Sequence, residues 1–494
     1  MKVRTRVAPS PTGDPHVGTA YMALFSYCFA KKHGGDFILR IEDTDSERSS
    51  PEAEKKIMDA LDWLGLSFDE GPSKEGAHAP YRQSERSRLY KKYIQELLAS
   101  GNAFRCFCTR DRLEELRKSQ MSEGKTTRYD GLCLNLSESD VAQKISNNVP
   151  HVVRMRVPDN GNCVVNDELR GVIEIAWDQV DMQVLMKTDG TPTYHFAVVV
   201  DDHLMEITHI IRGEEWINSA PKHIKLYEYF GWEMPSLIHM PLLRNPDKSK
   251  LSKRKNPTAI DFYKDMGFLP EALLNYLGML GWSMPGGEEK FSLDEMVADF
   301  ELSRITLGAP IFDVEKLKWL NGVWLRSYDD EKYKEKLISW LQEKPSIKSI
   351  IPLVKERIDI FTEMAPLTSF FLDGMPSISL EDFESVAQER EDIVKILQFS
   401  LWCLEVQTDW SKEVIHDSLI SLADNMNLKV REFLRPIFIA ISGKPVSPPL
   451  FDSMTIIGPD ICKARLKHSI ELLGGVSKKQ TKKLEKIYRD IKVD

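Results

Sequence analysis

No stretch of this 494-residue sequence is apolar for long. The densest run, from Ala20 to Ala30, is interrupted by Ser26, and a bilayer takes about 20 apolar residues to cross. The start, Met-Lys-Val-Arg-Thr-Arg-Val, lacks the apolar core of a secretory signal, so a cytoplasmic protein with no membrane partner is expected. Cysteine is sparse and odd in number, seven over the whole chain, which argues against a disulfide scaffold. Internal repeats and low-complexity segments are lacking as well. So is an excess of positive charge: the net charge is -9. That weighs against nucleic acid as a partner unless cations cluster, because local potential governs binding. One cluster exists, Lys478-Lys479-Gln480-Thr481-Lys482-Lys483, which on its own reads as a solvated helix face. With 29% charged and 42% hydrophobic residues the chain is an ordinary globular one, long enough for about three domains.

What is present has a clear order. Val3, Thr5 and Val7 alternate with Arg4 and Arg6, a short strand with one charged face. A Pro/Gly-rich break over 8–15 leads into a helix from His16 to His33, apolar nearly all round and stopped by Gly34-Gly35. Phe37-Ile38-Leu39-Arg40-Ile41 reads as a buried strand. Strand, helix, strand is a βαβ unit, whose natural home is an α/β doubly wound parallel sheet. Helical stripes follow Pro51 and run through Tyr90, Tyr93, Ile94, Leu97 and Leu98. Residues 106–148 are polar, and Val152–Val157 alternates as an antiparallel strand does, so a middle region is inserted into the sheet domain. The sheet resumes with expected strands at Phe196–Val200 and Ile207–Ile211, the latter ending at Arg212-Gly-Glu-Glu-Trp216. From about residue 320 helical stripes dominate, for example Val394, Leu397, Leu401 and Leu404.

Two segments carry phosphate chemistry. His16-Val-Gly18-Thr sits where the first strand hands over to its helix, and a helix N-terminus offers free N–H groups and the positive dipole end. Gly18 lets a flat ring or a phosphate approach the backbone. Lys250-Leu-Ser-Lys-Arg-Lys255 is a basic loop able to neutralise a polyphosphate whose charge grows in a transition state. Each alone also fits a plain helix cap or a solvated loop.

Together they resemble the class I aminoacyl-tRNA synthetases, most closely the bacterial-type glutamyl-tRNA synthetases. Ala8-Pro-Ser-Pro-Thr-Gly-Asp-Pro-His16-Val-Gly-Thr19 stands where that family has its HIGH signature, and Lys250-Leu-Ser-Lys-Arg254 where it has KMSKS. Arg40-Ile-Glu-Asp-Thr-Asp45, Tyr194-His195, Arg212-Gly-Glu-Glu-Trp216 and Met240-Pro-Leu-Leu-Arg-Asn245 match in the same order. The resemblance implies a Rossmann-like catalytic domain in two parts, 1–90 and 190–246. It implies an inserted acceptor-stem-binding domain at 91–189, a stem-contact domain with the KMSKS-like loop at 247–329, and all-α anticodon-binding domains at 330–494.

The activity implied is ATP-dependent ligation of L-glutamate to the 3′ end of tRNA(Glu), through glutamyl-adenylate and pyrophosphate. Phosphoryl transfer asks mainly for positioning and cations. By resemblance His16, Lys250 and Lys253 are catalytic, with magnesium bridging phosphate oxygens. His16, Gly18, Glu215, Leu243, Lys250, Leu251, Ser252, Lys253 and Arg254 surround ATP. The glutamate pocket falls on Arg6, Ala8, Ser10, Glu42, Tyr194 and Arg212. Guanidinium groups suit the two carboxylates, and Glu42 suits the ammonium. Strand-end salt bridges are the plainer account of Arg6 and Arg212. Val198 stands where some relatives carry a polar side chain.

Cys106, Cys108 and Cys133 with Tyr129 match the zinc ligands of some members, and three thiols with a fourth donor suit zinc. Free thiols in a reducing cytosol are the alternative; Asn135 replaces a histidine that some zinc-binding relatives have. Arg357 aligns with an anticodon-reading arginine, or is a surface residue of a helix. A monomer is expected from the resemblance. A glutaminyl-tRNA synthetase would have β-barrels after residue 330, where this chain is helical. A shortened paralogue that glutamylates a modified base would lack the C-terminal third. A non-catalytic nucleic-acid-binding module would not need His16, Gly18, Lys250 and Lys253 together. Whether tRNA(Gln) is charged too is left open by the sequence.

Overall fold

In the computed structural model, β1 (Arg4–Val7) is buried along its whole length, charged side chains included. Arg4 Nη1 donates to Asp36 Oδ2 at 2.8 Å and to Glu70 Oε1 at 2.9 Å. Arg6 Nε donates to Asp202 Oδ1 at 3.0 Å. The charged face read from the alternation therefore turns inward, where only paired guanidiniums are tolerated. The structure describes residues 2–45, 47–251, 257–343, 346–360, 363–384, 386, 388–444 and 448–491. They fall into two units, residues 1–251 with 269–324, and residues 252–268 with 325–494.

In the first unit α1 (Val17–Lys32) buries ten of its side chains and ends at Gly34 in the left-handed region, φ +62°. A Cβ on Gly35 would lie 2.2 Å from Val3 O, so a glycine is needed for the return to β2 (Asp36–Leu39). β2 pairs parallel with β1, Arg6 opposite Ile38. α2 (Pro51–Trp63) starts with Pro at N1, and its N-cap Ser50 accepts from Ala53 N. α3 (Ser87–Ala99) buries Tyr90, Ile94 and Leu97, the stripe expected. The middle region holds β3 (Ala103–Cys106), α4 (Arg110–Ser122), α5 (Glu138–Ser146), β4 (Val152–Met155), the hairpin β5 (Asn162–Asp167) and β6 (Gly171–Ala176), and β7 (Val184–Met186). β3, β4 and β7 form an antiparallel sheet of their own.

Phe196–Val200, expected as a strand, lies instead in α6 (Tyr194–Leu204). A short apolar run does not separate a buried strand from a helix buried on every side, and here Phe196 through Asp202 are all buried. The true strand is β8 (His209–Gly213), so Arg212 is inside the strand and not past its end. α7 (Ala220–Phe230) connects it to β9 (Ser236–Met240), which runs parallel to β8 with Arg212 opposite His239. β5 joins β9 in parallel through Asp167 and Leu237, which makes a four-strand order β6-β5-β9-β8. Thr208 N–H donates to Arg4 O at 3.0 Å, so β8 lies beside β1. β1, β2, β8 and β9 turn their C-terminal ends toward the N-terminus of α1, the edge where open α/β sheets bind ligands.

Among the described residues, the regular elements that lie wholly in the second unit are all helices, the long ones being Asp330–Glu343, Arg390–Glu405, Lys412–Asn425, Val430–Ser442, Pro459–Leu472 and Lys478–Ile491. The fully buried Arg465 guanidinium donates to Gly374 O at 2.7 Å and Phe370 O at 2.6 Å and also to Ile441 O. It thus closes carbonyls at the ends of two helices. The Lys-rich tail is the start of Lys478–Ile491, which has no buried residue, as a solvated face requires. No helix among the described residues is long and apolar enough to cross a membrane.

Candidate active site

A cavity of about 610 Å³ opens at the C-terminal ends of β1 and β8. His16, Gly18 and Thr19 line it from the first turn of α1, and Arg6, Ala8 and Ser10 from β1 and the loop after it. Glu42 follows β2; Tyr194 opens α6; Arg212 and Glu215 come from β8 and the turn after it. Leu243, Lys250 and Leu251 complete the wall. One cavity thus gathers every residue expected around glutamate and ATP except Ser252, Lys253 and Arg254, which lie outside the described residues. Its formal charges are three cations, Arg6, Arg212 and Lys250, against two carboxylates, Glu42 and Glu215. The positive end of the α1 dipole adds to that balance.

His16 is the N-cap of α1, and its Nδ1 accepts from Gly18 N at 2.8 Å. In the neutral ring the proton is therefore on Nε2. A Cβ at position 18 would press on His16 Nδ1 at 3.0 Å, so glycine and imidazole fit each other. Lys250 is delivered by a tight turn: it bridges Arg244 across the turn, and its carbonyl accepts from Asn245 Nδ2 at 2.9 Å.

The two arginines differ in their partners. Arg6 meets a carboxylate, Asp202, with Nε and Nη2 at 3.0 and 3.3 Å. Arg212 is held by two imidazoles, Nε donating to His239 Nε2 at 3.0 Å and Nη1 to His223 Nδ1 at 3.0 Å, while Tyr194 and Asp202 act on its charge from nearby. Its Nη2 is buried and has no hydrogen-bond partner among the described residues. Burial lowers the Arg212 pKa from its usual value. Burial also raises the Glu42 carboxyl, against the pull of Arg40 and Arg6, and pushes Tyr194 up to about 12. Tyr194 packs on Trp216, ring centroids 4.5 Å apart. Val198 points into the apolar core beside Phe196 and Val199 and does not line the cavity, so it offers no polar group there.

Asp202, at the polar end of the expected strand Phe196–Val200, lies instead within α6 and pairs with Arg6, while Asp167, His223 and His239 stand outside every motif. The available signal was polar residues inside apolar elements, such as His239 in Ser-Leu-Ile-His-Met.

At a separate place the Sγ atoms of Cys106, Cys108 and Cys133 lie within 4.8 Å of one another. Tyr129 Oη is 3.6 Å from Cys108 Sγ, and Arg112 Nη1 is 3.4 Å from the same sulfur. Burial opposes ionisation of Cys106, but bonds from Tyr129 and Arg154 hold it below the ordinary thiol range. Burial and the neighbouring thiols push Cys108 to about 11. Three clustered thiols with a phenol beside them are a donor set that fits zinc. Asn135 is exposed. Arg357 is exposed too, past the end of the helix Ser346–Val354 and not on it.

Residues 2–319 match the family model for tRNA synthetases class I (E and Q), catalytic domain, and residues 332–470 match the anticodon binding domain. The glutamate–tRNA ligase of Marinomonas sp. is 56% identical over 491 residues, covering 99% of this chain and all of that protein. The glutamate–tRNA ligase of Alcanivorax borkumensis is 55% identical over 493 residues, with both chains fully covered. The chain belongs to the glutamate–tRNA ligases. Its fold agrees with that of a solved glutamate tRNA ligase from Elizabethkingia meningosepticum in complex with its amino acid, at TM-score 0.66 and 34% identity over 96% of this chain and all of that one. A glutamate–tRNA synthetase structure from Elizabethkingia anophelis, also 34% identical, gives TM-score 0.65 over 95% of this chain. The fold class read from sequence, an α/β catalytic part followed by an all-α anticodon-binding part, stands.

Proposed function

We propose that this chain activates L-glutamate with ATP and transfers it to the 3′ end of tRNA(Glu). Glutamate enters with a carboxylate toward Arg212 and the other toward Arg6, its ammonium toward Glu42, with Tyr194 closing the slot. ATP lies along the first turn of α1, where Gly18 admits it. His16 donates through Nε2 to a phosphate oxygen, and Lys250 with Lys253 neutralises the charge that develops as the glutamate α-carboxylate displaces pyrophosphate. Glu215, Leu243, Leu251, Ser252 and Arg254 complete the nucleotide site. Magnesium would supply further positive charge against the triphosphate, beside that of Lys250 and Lys253. A ribose hydroxyl of the tRNA end then attacks the carbonyl of glutamyl-adenylate, taking the glutamyl group as an ester and releasing AMP.

The observation that supports this reading is the shared cavity of His16, Lys250 and Arg212. Zinc at Cys106, Cys108, Cys133 and Tyr129 would brace the inserted region, and the clustered donors support it. The division of labour is proposed with it: acceptor stem at 91–189, stem contact at 247–329, and anticodon at 330–494 with Arg357 reading a base. The enzyme works as a cytoplasmic monomer. The test is glutamate-dependent ATP–pyrophosphate exchange with and without tRNA. Exchange only when tRNA is present supports the reading; no exchange in either case overturns it. Charging purified tRNA(Glu) and tRNA(Gln) transcripts decides the breadth.

A further inference from the structure

Arg212 is the end of a proton-ordered chain. Asp167 Oδ2 lies 2.6 Å from His239 Nδ1, so that nitrogen carries the proton and Nε2 accepts from Arg212. Beyond Arg212, His223 Nδ1 accepts from Nη1, and His223 Nε2 faces His195 Nδ1 at 3.0 Å. His223 therefore has its proton on Nε2 and donates it to His195. Every ring has one consistent neutral tautomer, and an imidazolium at either contact would present a proton to a guanidinium that cannot accept one. The surroundings favour neutrality. Burial, then Arg212, His195, Arg6 and Lys222, hold His223 well below its usual pKa. Burial holds His239 down, with Arg212 and Arg170 adding to it and Asp167 opposing. His195 is lowered to about 4, by burial first and Lys222 next, against Asp181.

We infer that His223 and His239 are positioning residues that set the choice of an acid over an amide: as neutral acceptors they fix the Arg212 guanidinium without cancelling its charge. Arg6 supplies the contrast, since the carboxylate of Asp202, which it shares with Arg40, both holds it and offsets part of its charge. A guanidinium whose direct partners are two neutral rings, with Asp202 and Tyr194 acting on it only from beyond them, keeps more of its charge for a ligand than one paired with a carboxylate, and attracts a carboxylate more than a carboxamide. Had a carboxylate stood where His223 stands, the position of Arg212 would be the same and the preference for charge would be weaker. The inference rests on the proposed function with the side-chain carboxylate of glutamate, the group that glutamine replaces by an amide, as the one that meets Arg212.

The experiment compares His223→Asn with His223→Asp in the full chain. Both keep an acceptor near the Nδ1 position, and only one adds charge. In tRNA-dependent exchange, His223→Asn is expected to keep the glutamate KM within a few-fold. His223→Asp should raise it about ten- to a hundredfold, the scale of one charged hydrogen-bond contact, with the KM for ATP unchanged. The preference for glutamate over glutamine should fall in His223→Asp alone. Equal behaviour of the two variants, or loss shared between glutamate and ATP, overturns the inference, because a packing role would not distinguish an oxygen's charge. Nitrogen-15 imidazole shifts of the parent at neutral pH give an activity-independent readout: His239 protonated on Nδ1 and His223 on Nε2 are expected, and a doubly protonated or reversed ring overturns the chain. A parent that shows these tautomers but no exchange refutes the proposed function and, with it, the substrate choice assigned to the rings.

Discussion

The carboxylate of Asp202 accepts from Arg40 Nη1 at 2.6 Å, and the Arg40 side chain is fully buried. The same oxygen takes Arg6 Nε from the other side at 3.0 Å. Two guanidiniums thus share one carboxylate beneath the floor of the cavity. Arg40 also donates to Glu42 at 3.1 Å, so the residue proposed for the substrate ammonium is set by the same group.

Asp202→Asn is therefore expected to destabilise the chain by about 3–5 kcal/mol, the range for a buried pair broken on one side. Urea denaturation followed by circular dichroism reads it. Burial pushes the Asp202 carboxyl up, but Arg40 and Arg6 pull it further down, so its folded pKa is below the ordinary value. A depressed acid stabilises the fold above its unfolded pKa, roughly 3.9. That contribution is lost as pH falls from there through the folded pKa. The parent should lose stability in this acid range more steeply than Asp202→Asn; parallel curves would refute the pairing.

Arg465→Leu is expected to leave Gly374 O, Phe370 O and Ile441 O without their buried donor. An unsatisfied buried acceptor costs about 1–3 kcal/mol, so a loss of at least about 3 kcal/mol is expected for the three. The loss should fall on the second unit, where hydrogen exchange of the helices Val430–Ser442 and Pro459–Leu472 would quicken. Unchanged protection there would remove Arg465 from its assigned place.

The thiol cluster predicts metal. Protein purified without chelator should carry about one zinc per chain, since structural zinc sites contribute folding energy outright. Cys133→Ser should abolish it, and a strong chelator should open the segment of α4 and α5 to protease while the rest of the chain resists. Elemental analysis and limited proteolysis read the two effects. Zinc-free protein whose three thiols react freely with a thiol reagent would leave the cluster as plain cysteines.

How much of this was legible in the sequence depended on the residue's job. The cavity wall was readable, because Gly18, His16, Tyr194 and Lys250 sit in short motifs at element ends. The helix α1 and its glycine stop followed from composition alone. Two things were hidden. The sequence of α6 reads as a strand because a helix buried on all sides loses the polar face that gives the 3.6-residue period away. The supporting network was invisible because Asp167 and His239 are 72 residues apart. Asp202 and Arg6 are farther still, at 196. Only the parallel register of β8 with β9 puts Arg212 opposite His239, and no local pattern encodes that pairing.

His16 combines two jobs that a single substitution can part. Its Nδ1 caps α1 by accepting from Gly18 N, and its ring lines the cavity. Asparagine is among the best N-cap residues, so His16→Asn should keep the cap and change stability by less than about 0.5 kcal/mol. The amide is too short to bring a donor to where Nε2 reaches. The proposed contact to the phosphate that carries charge in the transition state is then lost. Removing one such donor costs about a hundredfold or more in turnover. Exchange assays should accordingly show a fall of that size in kcat with little change in the glutamate KM, while the melting temperature stays put. Full turnover in a stably folded His16→Asn would leave the histidine as a cap and nothing more.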